Sequence, residues 1–303
     1  MNRRDFVSGA LLASAGALAH PLFAAKTKKR KIQIGHTGIT WSGRQTEDAI
    51  ASISSLGFYG FETFGDTLIQ WEQRGGLLPV LEKHNLQLIS GYCSINLTDP
   101  AQRDAELVKA DKYCELIKKN GGRIYVVGPN GVNRKTYDFA ANKANIVETL
   151  NELSKRVQDH GLTPVLHQHT GTCIESHDET YEVLHTADTR LLKFGPDVGQ
   201  LTKGGSDAVQ VVKDFLPIVE HMHLKDYNGK DDHLSGYCPL GQGQVNVPAI
   251  LDMMEKRKIS GMVMGELDND GRSLSQKSPE ELVKESRDYL VTLGVQFRQA
   301  PPA

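Results

Sequence analysis

The chain has 303 residues, 39% hydrophobic and 24% charged, with a formal net charge of −2. That is globular composition, with enough apolar residues for one large α/β domain or two smaller ones. The charge balance leaves no basic footprint for nucleic acid, and beyond the N-terminus no run is long and apolar enough to span a bilayer.

The first stretch, Asn2-Arg3-Arg4-Asp5-Phe6-Val7, is followed by a weakly apolar Ala/Leu/Gly run to Ala19. An arginine pair, a Phe and a mild apolar region resemble a twin-arginine export signal. Ala17-Leu18-Ala19 and Leu22-Phe23-Ala24 are its candidate cleavage sites. Residues 1–25 are therefore set apart from the fold, and the expected location is the periplasm, without stable membrane insertion after cleavage. Export in the folded state would let a metal be loaded in the cytoplasm. Residues 26–31 read as a basic linker, 32–295 as the folded domain and 296–303 as a tail. Four scattered cysteines, Cys93, Cys114, Cys173 and Cys238, show no C-x-x-C spacing and read as buried thiols.

From residue 32 short apolar runs alternate with helix-period segments. Residues 32–37 form the first predicted strand. Residues 46–56 form a helix with Thr46 as its cap, Ala49, Ile50, Ile53 and Leu56 on one face, and Gly57 as its stop. Strands follow at 58–64, 86–92, 123–128, 164–169, 191–197, 220–225 and 261–267. The intervening helices span 77–84, a segment opened by Asp99-Pro100, a segment carrying Ile146, Leu150, Leu153 and Val157, then 177–186, 206–219 with Ser206 as cap, 247–258, and 279–293. Near-continuous apolar strands in βα alternation indicate a covered parallel sheet. Eight units in about 270 residues match a single-domain (β/α)8 TIM barrel. A doubly wound sheet with a dinucleotide site is less supported, because no G-x-G-x-x-G follows the first strand.

In such a barrel the reacting groups gather at the C-terminal strand ends. Residues i and i+2 of a strand share a face. His167 and His169 should therefore project together, with Gln168 turned away. The other strand ends offer Glu62, Asp197, the set His221, His223 and Lys225, and the pair Glu266 and Asp268. A mixed His/Asp/Glu shell suits one divalent ion: Mn, Co, Zn or Mg.

These residues carry a resemblance. Gly57-Phe58-Tyr59-Gly60-Phe61-Glu62, Asp197-Val198-Gly199, His221-Met222-His223-Leu224-Lys225-Asp226, Pro239-Leu240-Gly241-Gln242-Gly243 and Glu266-Leu267-Asp268 are similar to the xylose isomerase-like barrel superfamily of sugar isomerases and epimerases. The resemblance implies a single metal held by His167, Asp197, His223 and Glu266. His167 stands where the sugar epimerases carry Glu. The His-x-His-Thr-Gly-Thr form resembles the inosose dehydratase branch. Gln200 replaces a frequent family histidine. Asp231 and His233 echo a related nuclease, but without a histidine at 200 or a basic surface DNA cleavage is not expected.

A divalent ion gripping a carbonyl and its neighbouring hydroxyl stabilises the charge left when the α-proton departs. Reprotonation then gives epimerisation or isomerisation, and loss of a β-oxygen gives elimination. A metal-bound imidazole is a poor base, so His167 in place of Glu favours elimination. His169 or Glu266 would be the base, with the other histidines or Lys225 assisting the leaving group. Glu62 is expected to hydrogen-bond substrate hydroxyls, Trp41 (with Phe64 and Trp71 nearby) to stack on a sugar ring, and Arg272 to reach the substrate. The expected partner is a small carbohydrate; a homo-oligomer is compatible with the sequence. The alternatives are a sugar isomerase or epimerase proper and a non-catalytic periplasmic sugar-binding protein.

Overall fold

Eight short parallel strands build the sheet in the computed structural model, which describes residues 29–41, 43–230, 233–268 and 277–299. They are β1 (Ile34–Thr37), β2 (Phe61–Phe64), β3 (Leu88–Ile95), β4 (Ile124–Pro129), β5 (Thr163–Leu166), β6 (Lys193–Phe194), β7 (Met222–Leu224) and β8 (Val263–Gly265). Ladders join β1 through β6 in sequence, β1 to β8, and β8 to β7. The seam between β6 and β7 closes through the parallel bridges Phe194↔Val219 and Asp197↔His223. The result is the expected (β/α)8 TIM barrel. The expected export segment 1–25, Arg272 and Asp231 lie outside the described residues, as does the side chain of His233.

Strand parity sorts the side chains. On β7, Met222 and Leu224 face the helices and join the main apolar layer, while His221, His223 and Lys225 take the other parity. Below these polar groups the barrel interior is filled by Ile89, Met262 and Met264 and by Ile124, Val126 and Val165. Every strand is almost wholly buried, which accounts for the continuous apolar runs.

Except for β3 and β4, the strands are shorter than the apolar runs that encode them. β6 covers two residues of the expected seven because Gly195-Pro196 follows, and proline has no N–H to donate to a ladder. The first helix, Thr46–Ser55, is not capped by Thr46. A 3-10 turn, Gly43–Gln45, precedes it, and the Thr46 hydroxyl donates to Gly43 O at 3.0 Å. Gly57 ends that segment as expected, at φ 84. The helix Gly65–Glu72, directly after β2, was not anticipated. The expected helix at 206–219 is Ala208–Asp214, capped by Asp207 rather than Ser206, followed by the 3-10 turn Leu216–Ile218. All four cysteines are buried, and none is in a disulfide. Among the described residues no helix is long and apolar enough to cross a membrane.

Candidate metal and substrate site

The β5 strand end is set by backbone pairing. The His167 N–H donates to Val127 O at 3.0 Å, which carries the β4 register one residue past the ladder. The rings of His167 and His169 lie 5.9 Å apart, on a shared side. Gln168 turns the other way, and its amide donates to Asp197 O at 2.9 Å. That bond ties the ends of β5 and β6 together.

Asp197 caps the short helix Val198–Lys203. Its Oδ1 accepts from the N–H groups of Gly199 and Gln200 at 2.8 and 2.9 Å, leaving Oδ2 for the site. Gly199 packs so closely that a Cβ there would lie 2.7 Å from the Lys225 side chain. His167, Asp197 and His223 each offer a ligand atom within 4.8 Å of the others, and all three are buried. Glu266 Oε2 lies 3.0 Å from His223 Nδ1, and Glu266 Oε1 lies 2.5 Å from Lys225 Nζ. Lys225, fully buried, also reaches Asp197 Oδ2 and Asp268 Oδ1, each at 2.9 Å.

The residues fit a cation. His167 Nδ1, Asp197 Oδ2 and both ring nitrogens of His223 are buried without a hydrogen bond of acceptable angle. The His223 contacts are short but off-axis. Unsatisfied buried groups of this kind call for a further partner. Burial, with the charge of His223 second, drives the His167 pKa well below its ordinary value, so the ring is neutral, the ligand form. Burial opposes charge on His223 as well, but Glu266 and Glu62 on either side hold its pKa well above the ordinary value. Burial alone would raise Glu266, yet His223 and Lys225 hold it well below the usual carboxylate range. Asp268 is pushed up by burial. The carboxylates of Glu62, Asp197 and Glu266, with the Asp268 carboxyl beside them, surround the cations Lys225 and His223. The surplus negative charge matches a divalent ion bound by His and carboxylate.

Beside this cluster lies a cavity of about 150 Å³, walled by Tyr92, His167, His169, Glu266, Asp268 and Phe64. Phe64 is 39% exposed, and its ring stands 5.5 Å from that of Tyr92. His169 has both nitrogens engaged. Gln200 Oε1 accepts from the Thr170 hydroxyl and N–H at 2.6 and 3.3 Å, so the Gln200 NH₂ faces His169 Nε2 at 2.8 Å. His169 Nε2 is then the acceptor, and Nδ1–H donates to Thr170 O at 2.7 Å.

Three expected contacts take other places. Lys225 does not border the cavity; its ammonium is enclosed by carboxylates and the Tyr237 ring, so assistance to a leaving group is replaced by charge compensation. Glu62 borders the cavity, but both its oxygens turn inward, to His223, His221 and Ser90, rather than toward substrate hydroxyls. Trp41 is 6% exposed, edge-on to His36, and faces a separate small cavity behind β1 and β2. Phe64 is the exposed aromatic on the main cavity. The structure also brings in Ser90, Tyr92 and Gln200, which carry no distinctive local pattern. The Pro239–Gly243 motif meets Asp226, whose carboxylate accepts from the N–H groups of Tyr227, Gly241, Gly243 and Val245 at 2.9–3.0 Å. That motif shapes a loop.

An inosose dehydratase of Mesomycoplasma hyopneumoniae strain J is 25% identical over 300 residues, covering 88% of this chain and 97% of that protein. A 3-keto-D-glucoside 4-epimerase of E. coli superposes with a TM-score of 0.69 at 16% identity, covering 86% of this chain and all of the other. The IOLI protein, solved with a zinc atom, superposes with a TM-score of 0.69 at 16% identity, covering 87% and 98%. The model of one family matches residues 50–293, which span the barrel from its first helix to its last. The chain belongs to the xylose isomerase-like TIM barrel family.

Proposed function

We propose that the chain is a divalent-metal-dependent enzyme that removes the proton α to the carbonyl of an uncharged keto-sugar or keto-glycoside and expels a β-oxygen. The observation that carries this reading is the convergence of His167, Asp197 and His223, with Glu266 alongside, next to a small cavity whose wall includes His167 and Glu266. The dehydratase among the relatives supports the elimination branch. Among the described residues the cavity wall carries Glu266 and Asp268 and no Lys or Arg side chain, which suits a neutral polyol better than a phosphate or carboxylate.

His167, Asp197, His223 and Glu266 would hold the ion, which supplies Lewis-acid polarisation of the carbonyl. Glu266 is the proton acceptor: it is a carboxylate and borders the cavity. His169 is second choice, because its Nε2 lone pair is turned to the Gln200 amide. As the α-proton passes to Glu266, the C–H electron pair forms the new C=C bond and the β C–O bond breaks. The departing oxygen takes a proton from Asp268, a second carboxyl on the cavity wall, whose pKa burial raises. Phe64 offers an apolar face to the sugar ring. From Arg3-Arg4 and the apolar run that follows, we place this activity in the periplasm.

The test uses purified protein, stripped and reloaded with Mn, Co, Zn or Mg and incubated with keto-sugars and keto-glycosides in D₂O. An unsaturated product that has lost the β-oxygen supports the proposal. Deuterium with inversion or carbonyl migration makes the chain an epimerase or isomerase. Neither exchange nor an unsaturated product with any metal or substrate defeats proton abstraction and leaves a sugar-binding role.

A further inference from the structure

Behind His223 lies a second buried group: Glu62, Ser90 and His221. Its proton positions follow from the backbone. His221 Nδ1 receives the Met262 N–H at 3.2 Å, so that nitrogen carries the lone pair and the ring proton sits on Nε2. His221 Nε2–H therefore donates to Glu62 Oε2 at 2.9 Å. The Ser90 hydroxyl donates to the same oxygen at 2.5 Å. Two donors occupy Oε2 and turn Oε1 toward His223 Nε2, 2.8 Å away. A carboxylate oxygen that close to a bare ring lone pair would be repelled, so His223 Nε2 must carry a proton. The remaining nitrogen, Nδ1, faces Glu266 Oε2 at 3.0 Å.

We propose that Glu62, braced by His221 and Ser90, is a positioning residue that holds His223 with Nε2–H toward itself and presents Nδ1 as the metal-binding atom. This rests on the reading that His167, Asp197, His223 and Glu266 hold a divalent ion. Glu62, His221 and His223 are also close enough to form a metal group themselves. In that group, however, the polar atoms of Glu62 and His221 already have partners. Of the orphaned atoms, His167 Nδ1 and Asp197 Oδ2 belong to the other group, and the two ring nitrogens of His223 belong to the residue that both groups share. The closed network is the support and the open one is the ligand set. A carboxylate that receives the distal N–H of a ligating histidine fixes both tautomer and ring orientation.

The experiment uses zinc, which is diamagnetic, and protein labelled with ¹⁵N-histidine. Long-range ¹H–¹⁵N spectra of the zinc-loaded protein should show His223 protonated at Nε2 and metal-shifted at Nδ1. Zinc on Nε2 overturns the proposal. Chelator competition should find zinc bound about 10–100-fold more weakly by Glu62→Gln, and a smaller loss in the same direction for Ser90→Ala. Wild-type affinity in folded Glu62→Gln also overturns it. If Glu62→Gln does not fold, Ser90→Ala and the wild-type spectrum decide. If the wild type takes up no zinc, the functional reading fails. A protected His223 Nε2–H in the metal-free protein, lost in Ser90→Ala or Glu62→Gln, would still uphold the placement of the ring.

Discussion

Replacing Lys225 with methionine removes a charge and keeps most of the volume. In the wild type Nζ is fully buried, 2.9 Å from Asp197 Oδ2, 2.5 Å from Glu266 Oε1 and 2.9 Å from Asp268 Oδ1. At an effective dielectric of about 20, Coulomb's law gives roughly 6 kcal/mol for one such contact. Desolvation of the ammonium offsets much of that. The measured cost of breaking a buried pair by deleting one partner is about 3–5 kcal/mol, because the surviving charges are stranded. At about 2–4 °C per kcal/mol for a chain of this class, the melting temperature of metal-free Lys225→Met should fall by roughly 6–20 °C at pH 8. The sign of the pH effect follows from the carboxylates. Without the ammonium, Glu266 and Asp268 are left with raised folded pKa values, so the variant's deficit grows as pH rises and shrinks as pH falls toward 5. Melts followed by circular dichroism at pH 5, 6.5 and 8 test both points. A variant that melts within 2 °C of the wild type at pH 8, or whose deficit widens toward acid, refutes the assignment of Lys225 as the compensating charge.

Two further outcomes follow from the same site. Gln200→Leu strands the Thr170 N–H and hydroxyl and releases His169 Nε2. It should cost about 1–3 kcal/mol in denaturant unfolding, and no loss would mean that the amide bridge does not restrain His169. The Glu62 carboxyl is held at about 2, below its ordinary 4.5: burial works against the carboxylate, and His223 and His221 outweigh it. Its contribution, on the order of 3 kcal/mol, is present above about pH 4.5 and disappears as pH falls through about 2. Glu62→Gln should therefore flatten the acid limb of the stability profile of the metal-free protein, and an unchanged limb would place the acid sensitivity elsewhere.

The barrel was legible because buried parallel strands read as continuous apolar runs and eight of them alternate with helix-period segments. The period of two also placed His167 with His169, and His221 with His223, on common faces. Local chemistry was less legible where two neighbours compete for one role. Asp207, not Ser206, caps its helix, and the 3-10 turn before Thr46 takes that residue past the cap position. The helix Gly65–Glu72 starts directly after the last residue of β2, with Phe64 at the cap position and no capping side chain to announce it.

By itself the sequence determined the fold class, the strand ends that carry polar groups and the residue types suited to a divalent ion. These depend on periodicity and on side-chain chemistry, which are local. Only the tertiary structure decided how the polar atoms divide. It enclosed Lys225 among carboxylates, turned Glu62 inward to His223, His221 and Ser90, and clamped His169 with Gln200. Each of these contacts joins residues distant in the chain, 159 positions apart in the case of Glu62 and His221. Their geometry is set by barrel closure and by which buried donors and acceptors remain to be satisfied.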